Sequence, residues 1–113
     1  MSYDCSLEVD TGNGETISID LGNYTYNCSM MLVKAIEKSS GKKETSLSDL
    51  DGVIAKEVSK ILGLACIEMA ENRKEYIEMN PENGWGDYDS WLEYLRNIEL
   101  QCLKHPNTKL SVH

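Results

Sequence analysis

The chain lacks most of the groups on which catalytic and metal sites depend. It has only two histidines, His105 at the expected end of a helix and His113 at the last position. Neither lies beside a residue with which it would form a nucleophile–base pair. The glycines of segment 12–14 join two expected strands rather than opening a helix, so they form no phosphate-binding loop. We therefore predict a protein that is not an enzyme and has no cofactor.

Closely spaced cysteines are also absent. Zinc ligands usually occur as C-x2-4-C pairs, because one tight turn must present two thiolates to one metal ion. The four cysteines are instead far apart, and each falls in an apolar pattern, where a free thiol acts as a small hydrophobic group. We expect no metal site and four reduced, buried thiols: Cys5, Cys28, Cys66 and Cys102.

Long apolar runs and basic clusters are missing as well. No apolar run approaches the roughly 20 residues that cross a bilayer, and the first residues lack the basic and apolar regions of a signal peptide. The net charge is −8, from 19 acidic and 11 basic residues. Such a chain lacks the clustered Lys and Arg that bind phosphates or anionic membranes. We expect a cytoplasmic protein that binds neither nucleic acid nor membrane.

At 113 residues, with 41% hydrophobic and 27% charged, the composition is that of a single globular domain over 1–113.

The first element that the sequence predicts is a β-hairpin. Residues 3–10 alternate between apolar and polar, which is typical of a half-buried strand. Asn13 and Gly14 suit a hairpin turn, and residues 16–21 alternate again. A short extended segment resumes at Tyr24.

Three helices and a closing strand follow. Asn27 or Ser29 caps a helix to about Ser39, and apolar spacing predicts a long middle helix over 48–79, with a bend possible at Gly63. A last helix runs from about Asp87 until the proline at 106 ends it, and residues 110–112 alternate like a strand. The order ββαααβ predicts an α+β fold. A three-stranded antiparallel sheet, made of the N-terminal hairpin and the C-terminal strand, is covered on one face by three helices.

Two polar-aromatic segments are candidate binding sites. The first leads from the hairpin into a helix, and the second is the loop Asn-Pro-Glu-Asn-Gly-Trp-Gly before the last helix. Aromatic faces and amide groups together can stack on a planar ligand and orient it. The alternative is structural: the tyrosines cover the core and the tryptophan fills a seam between helices. The ligand-binding residues predicted here are Tyr24, Thr25, Tyr26, Asn27, Asn83, Trp85 and Tyr88.

An acidic row on the middle helix offers a different function. Helical spacing places four glutamates on one flank, where they would imitate nucleic-acid phosphates or receive a basic protein surface. A solvated helix face is the alternative explanation. The residues of this row are Glu68, Glu71, Glu75 and Glu78.

The two polar-aromatic segments carry a resemblance. Segment 25–27 and loop 80–86, followed by Tyr88, resemble a family of small, mostly uncharacterised proteins of phages, prophages and plasmids. Members of that family combine a hairpin leading into a Thr-His/Tyr-Asn segment with a long middle helix and this loop. The resemblance implies a mobile-element setting and a single site shared by the two segments.

These observations lead to one functional hypothesis and an alternative. The first is a non-catalytic phage or mobile-element accessory protein that sequesters a small host metabolite or signalling molecule in a Tyr/Asn/Trp pocket. The alternative is an acidic nucleic-acid mimic that blocks a basic host defence protein through its glutamate row. A homodimer is also possible, because short strands leave edges that can pair with a second copy.

Overall fold

The fold contains a three-stranded antiparallel sheet. The computed structural model describes residues 2–25, 28–84 and 86–113. Strands β1 (Ser2–Asp10) and β2 (Thr16–Thr25) form the hairpin, and β3 (Lys109–Val112) pairs with the other edge of β1. The strand order is β2-β1-β3, so the hairpin and the closing strand are where the sequence predicts them.

The helices lie on one face of this sheet. They are α1 (Ser29–Ser40), α2 (Ala55–Glu71), α3 (Arg73–Ile77) and α4 (Tyr88–Lys104), with a short 3-10 helix at Leu47–Leu50. On β1, Tyr3, Cys5 and Leu7 are buried against them, whereas Asp4 on the other face is exposed. Helices α2 and α3 together occupy the place of the long middle helix, so the predicted α+β fold and its ββαααβ order are confirmed.

The predicted start of the middle helix at Ser48 is wrong. Ser46 and Asp49 form a reciprocal capping box on the 3-10 helix instead, and α2 begins only at Ala55. The intervening residues form a turn at 51–52 and a β-bridge from Ile54 to Lys109, because this stretch pairs with the end of the chain. Gly52 N–H donates to the Leu110 carbonyl at 2.7 Å, and Ala55 N–H donates to the Thr108 carbonyl at 2.7 Å. Pairing with distant residues therefore overrides the local helical pattern.

The middle helix is also interrupted, at Asn72. Asn72 has φ −120° and ψ 39°, between the last residue of α2 and the first of α3. Its side-chain Nδ2 donates to the Glu68 carbonyl at 3.1 Å, a local bond of the kind by which Asn competes with helix continuation. Gly63 lies inside α2, which runs through it without a break.

An irregularity in β2 decides where Tyr24 points. The pairing of β1 with β2 shifts register between the pairs Asp4–Asn23 and Ser6–Asp20, which inserts one extra residue into β2. Gly22 in this bulge has φ +92°, a conformation that glycine adopts without strain. Leu21 and Tyr24 are consequently both buried, although strict alternation would place them on opposite faces.

Helix α4 contributes the centre of the aromatic core. Trp91 is fully buried, and its ring centroid lies 4.9 Å from that of Tyr24 and 5.8 Å from that of Tyr3. All four cysteines are buried and free, as the sequence predicts. Over the residues that the structure describes, no helix combines the length and apolar character needed to cross a membrane.

Candidate functional site

Tyr24 connects the end of β2 to the start of α4. Its ring is only 5% exposed, and its hydroxyl lies 2.7 Å from Ser90 Oγ. The same hydroxyl donates to the Asp87 carbonyl at 3.4 Å. Cys28, at the entry to α1, also contacts this carbonyl, with 3.9 Å between Sγ and the oxygen. One backbone carbonyl at the start of α4 therefore joins both ends of the first polar-aromatic segment.

The loop before α4 is held by two side-chain bonds to backbone N–H groups. Asn80 Oδ1 accepts from the Tyr88 N–H at 2.8 Å. Asp87 is the N-cap of α4, and its Oδ1 accepts from the Ser90 N–H at 2.8 Å. Asp87 thus caps the helix with its side chain, and its backbone carbonyl accepts a hydrogen bond from the Tyr24 hydroxyl. This places the end of the second polar-aromatic segment beside the first.

The described members of the predicted binding site occupy two different environments. Tyr24 and Tyr88 are buried, and the Tyr88 hydroxyl donates to the Met69 carbonyl at 2.7 Å. Thr25 and Asn83 are exposed. The burial of Tyr24 and Tyr88 agrees with the structural explanation, in which tyrosines cover the core. The exposed surface of this region is formed by other side chains. Three members lie outside the described residues: Tyr26, Asn27 and Trp85.

Burial keeps the Tyr24 hydroxyl and the Cys28 thiol protonated, because it raises the pKa of both groups. It raises the pKa of Tyr24 to about 12, against a smaller opposing effect of the Ser90 hydrogen bond. It also raises the pKa of the Cys28 thiol. A cysteine is an effective nucleophile only as its thiolate. At neutral pH this junction therefore offers hydrogen bonds and aromatic surface rather than an activated nucleophile.

The acidic row is divided by its own contacts. Glu75 Oε1 lies 2.7 Å from the amino groups of both Lys34 and Lys38. Hydrogen bonds from these two lysines lower the pKa of Glu75 to about 2. Glu68 accepts from the Tyr76 hydroxyl and from Asn72 Nδ2. Two of the four carboxylates are therefore already bound within the chain, while Glu71 and Glu78 are exposed.

Basic side chains also share the surface of this row. A shallow concavity of about 530 Å³ lies at the junction of α2 and α3. Arg73 sits in it, 3.5 Å from Asp89 and over the ring of Tyr88 with 5.6 Å between the guanidinium carbon and the ring centroid. The charge here is therefore mixed rather than uniformly negative. The lining residues are Glu71, Asn72, Arg73, Lys74, Glu75 and Glu78.

Sequence reasoning missed Ser90 as the partner of Tyr24. An aspartate directly before the apolar pattern of a helix is an N-cap signal, and it accounts for the capping bond that Asp87 makes. It does not predict that the serine hydroxyl points at a tyrosine 66 positions away. No signal in the sequence identifies that contact, because it depends on how α4 packs on β2.

Within residues 2–25, 28–84 and 86–113, no group of three or more His, Cys, Asp or Glu side chains is placed to hold a metal ion. Comparisons of the chain with family models, with curated proteins and with solved structures found no match.

Proposed function

We propose that this chain is a non-catalytic binding protein whose site lies where the end of β2 meets the loop before α4. Its ligand is a small planar host metabolite or signalling molecule, bound by aromatic and amide groups of segments 24–27 and 83–88. The resemblance to phage and plasmid proteins suggests that it serves a mobile element by sequestering that molecule in the cytoplasm.

The contact between Tyr24 and the start of α4 carries this proposal. The Tyr24 hydroxyl reaches both Ser90 Oγ and the Asp87 carbonyl, so the two sequence segments approach one another. Tyr24 and Tyr88 are buried, which gives them the role of positioning their neighbours. Direct contact with a ligand falls to exposed Thr25 and Asn83 and, on sequence grounds, to Tyr26, Asn27 and Trp85. Trp and Asn are well suited to this, since Trp supplies a large aromatic contact surface and Asn supplies directional hydrogen bonds.

The alternative of an acidic mimic receives less support from the geometry. A nucleic-acid mimic needs carboxylates that are free to face a basic partner. Lys34 and Lys38 already bind Glu75, and Arg73 and Lys74 share the surface with Glu71 and Glu78. A basic host protein would therefore have to compete with ion pairs inside the chain.

Native mass spectrometry tests the proposal first. The protein is purified without a tag from its expression host and measured before and after mild collisional activation. An additional mass that is lost on activation supports a bound small molecule and gives its mass. If only the bare chain is seen, the same sample is titrated calorimetrically with nucleosides and nucleotides as planar probes. Absence of heat with all of these probes would contradict the proposal as stated.

Matched variants locate the site. Asn83→Ala and Trp85→Ala should each weaken binding of the detected molecule by at least about tenfold, which corresponds to about 1.4 kcal/mol. Asn107→Ala is the control, because Asn107 is an exposed asparagine in the loop before β3. Unchanged affinity for the detected molecule in both site variants would show that the binding site lies elsewhere. Loss of binding to a basic host protein on charge reversal of Glu71 and Glu78 would favour the alternative.

A further inference from the structure

The outer face of α2 carries an apolar stripe that the fold leaves uncovered. Leu64 and Ile67 are 49% and 56% exposed, although both lie in the middle of a helix. Lys60 and Glu71 flank them and are also exposed. The spacing of four, three and four residues aligns all four side chains along one side of the helix. We define the outer stripe as Lys60, Leu64, Ile67 and Glu71.

The neighbouring helix widens this surface. Helix α4 packs beside α2 and exposes Leu100 (48%) and Leu103 (58%). A shallow groove of about 350 Å³ runs between the two helices, with Gly63 and Ile67 on one side and Arg96 on the other. Gly63 has no side chain, and the Glu99 carboxylate of α4 lies close over it in this groove. Exposed apolar side chains beside a groove are typical of a surface that another protein covers.

The arrangement of charges identifies a second copy of this chain as the occupant. When two α2 helices cross antiparallel about a two-fold axis between Leu64 and Ile67, Leu64 of one copy faces Ile67 of the other. The same register brings Lys60 of one copy opposite Glu71 of the other, because both pairs are centred on the same point of the helix. The stripe therefore complements itself in charge as well as in apolar character, as a two-fold interface requires.

Two further observations favour self-association over another partner. The chain has a net charge of −8, so most of its surface repels a second copy, but the outer stripe carries one lysine and one glutamate and is neutral. Within the chain, the Lys60 amino group lies 3.7 Å from Glu57, in a pair whose side chains are both more than half exposed. Such an exposed pair contributes little, so Lys60 can exchange it for a partner across an interface.

We propose that the protein forms a two-fold homodimer through the outer faces of α2 and α4, with antiparallel α2 helices at its centre. Leu64 and Ile67 form the apolar centre of the interface, and two Lys60–Glu71 pairs flank it. This interface uses helix faces and leaves the strand edges of the sheet free. It is separate from the proposed ligand site at the start of α4.

Analytical ultracentrifugation over a wide range of protein concentration tests the dimer. The expected mass at high concentration is twice the 12.7 kDa of one chain. Ile67→Glu should give only monomer, since it places two carboxylates at the apolar centre. Ile17→Glu is the matched control, because Ile17 is 57% exposed on β2 and lies on the hairpin rather than on the helices. Circular dichroism confirms that each variant is folded.

A charge exchange tests the register of the interface. Lys60→Glu should raise the dimer dissociation constant about tenfold, because two attractive pairs become repulsive. Lys60→Glu combined with Glu71→Lys should restore the original value, since each glutamate then faces a lysine again. Failure of this rescue would overturn the antiparallel register. A wild-type monomer at millimolar concentration would overturn the proposal, as would dissociation by Ile17→Glu but not by Ile67→Glu.

Discussion

The Tyr24 hydroxyl lies 2.7 Å from Ser90 Oγ, although the two residues are 66 positions apart in the chain. Ser90 is in the first turn of α4, and Tyr24 is at the end of β2. The contact fixes how the last helix begins against the sheet. It also brings Tyr24, from the first polar-aromatic segment, to the helix start that follows the second.

Removing the Tyr24 hydroxyl should destabilise the fold. Tyr24→Phe is expected to lower the free energy of unfolding by about 1 kcal/mol, because the hydroxyl loses its bonds to Ser90 and to the Asp87 carbonyl. Ser90→Ala should cost a similar amount. Urea denaturation of both single variants and of the double variant measures this. The loss of unfolding free energy in the double variant should be smaller than the sum of the losses in the two single variants, since both changes break the same bond. Strictly additive losses would contradict the contact.

Glu75 should make stability depend on pH in the acid range. Its pKa in the folded protein is lowered to about 2, from 4.5, by the bonds to Lys34 and Lys38. A lowered carboxyl pKa stabilises the folded state above pH 4.5, and that contribution is lost as the pH falls towards 2. The urea midpoint of Glu75→Gln should therefore lie below that of the wild type at neutral pH. The urea midpoints of the wild type and of Glu75→Gln should converge as the pH falls from 4.5 to 2.

The exposed Glu78 provides the control for this measurement. Glu78→Gln should change the urea midpoint less than Glu75→Gln at neutral pH. Added salt should reduce the effect of Glu75→Gln, because its ion pairs lie near the surface. A difference between wild type and Glu75→Gln that stays constant down to pH 2 would contradict this account.

Alanine should have opposite effects at two glycines. Gly22 has φ +92°, and the nearest atom to an added Cβ is a Tyr94 ring carbon at 4.0 Å. Space is therefore available, and Gly22→Ala should destabilise by about 1–2 kcal/mol through backbone strain alone. Gly63 lies within α2, where alanine is favoured over glycine by about 1 kcal/mol.

Gly63→Ala should consequently raise the free energy of unfolding by about 0.5–1 kcal/mol. Its Cβ would lie 3.0 Å from Glu99 Oε2, but that oxygen ends a flexible side chain and can move away. Thermal or urea unfolding of the two variants checks both signs. A stabilised Gly22→Ala would show that the bulge does not hold the positive φ.

The thiols should be unreactive in the folded protein. Burial raises the pKa of Cys66 and Cys102 to about 12 and also raises that of Cys5 and Cys28. At pH 8 we expect almost no reaction of the folded wild type with a disulfide reagent, and rapid reaction of all four thiols in urea. Ser18→Cys supplies the positive control, because Ser18 is exposed on β2. Rapid reaction of the wild type without urea would contradict the burial.

Local patterns were enough to predict most of the elements. Alternation in residues 3–10 and the Asn13-Gly14 turn gave the hairpin. The apolar spacing from Tyr88 to Cys102 predicted α4 and its start near Asp87. These signals work because they depend on neighbours within a few residues. The predicted binding site is only partly described by the structure, and its members Tyr24 and Tyr88 are core residues.

The errors occurred where distant segments compete with local preference. Ile54 belongs to the predicted helical spacing, yet it forms a β-bridge with Lys109, and the N–H groups of Gly52 and Ala55 bond to Leu110 and Thr108, so α2 starts later than predicted. The burial of Tyr24 depends on a one-residue bulge at Gly22. Alternation alone does not reveal such a bulge, because an inserted residue moves every later side chain of the strand to the opposite face of the sheet.

The sequence by itself determined the α+β class, the element order and the cysteines' buried, reduced state, because each follows from composition or from short-range periodicity. Only the tertiary structure decided that β3 lies beside β1, that Glu75 is bound by Lys34 and Lys38, and that the end of β2 contacts the start of α4 through Tyr24 and Ser90. Those relationships join residues far apart in the chain. They arise from how helices and sheet pack together, which no local pattern encodes.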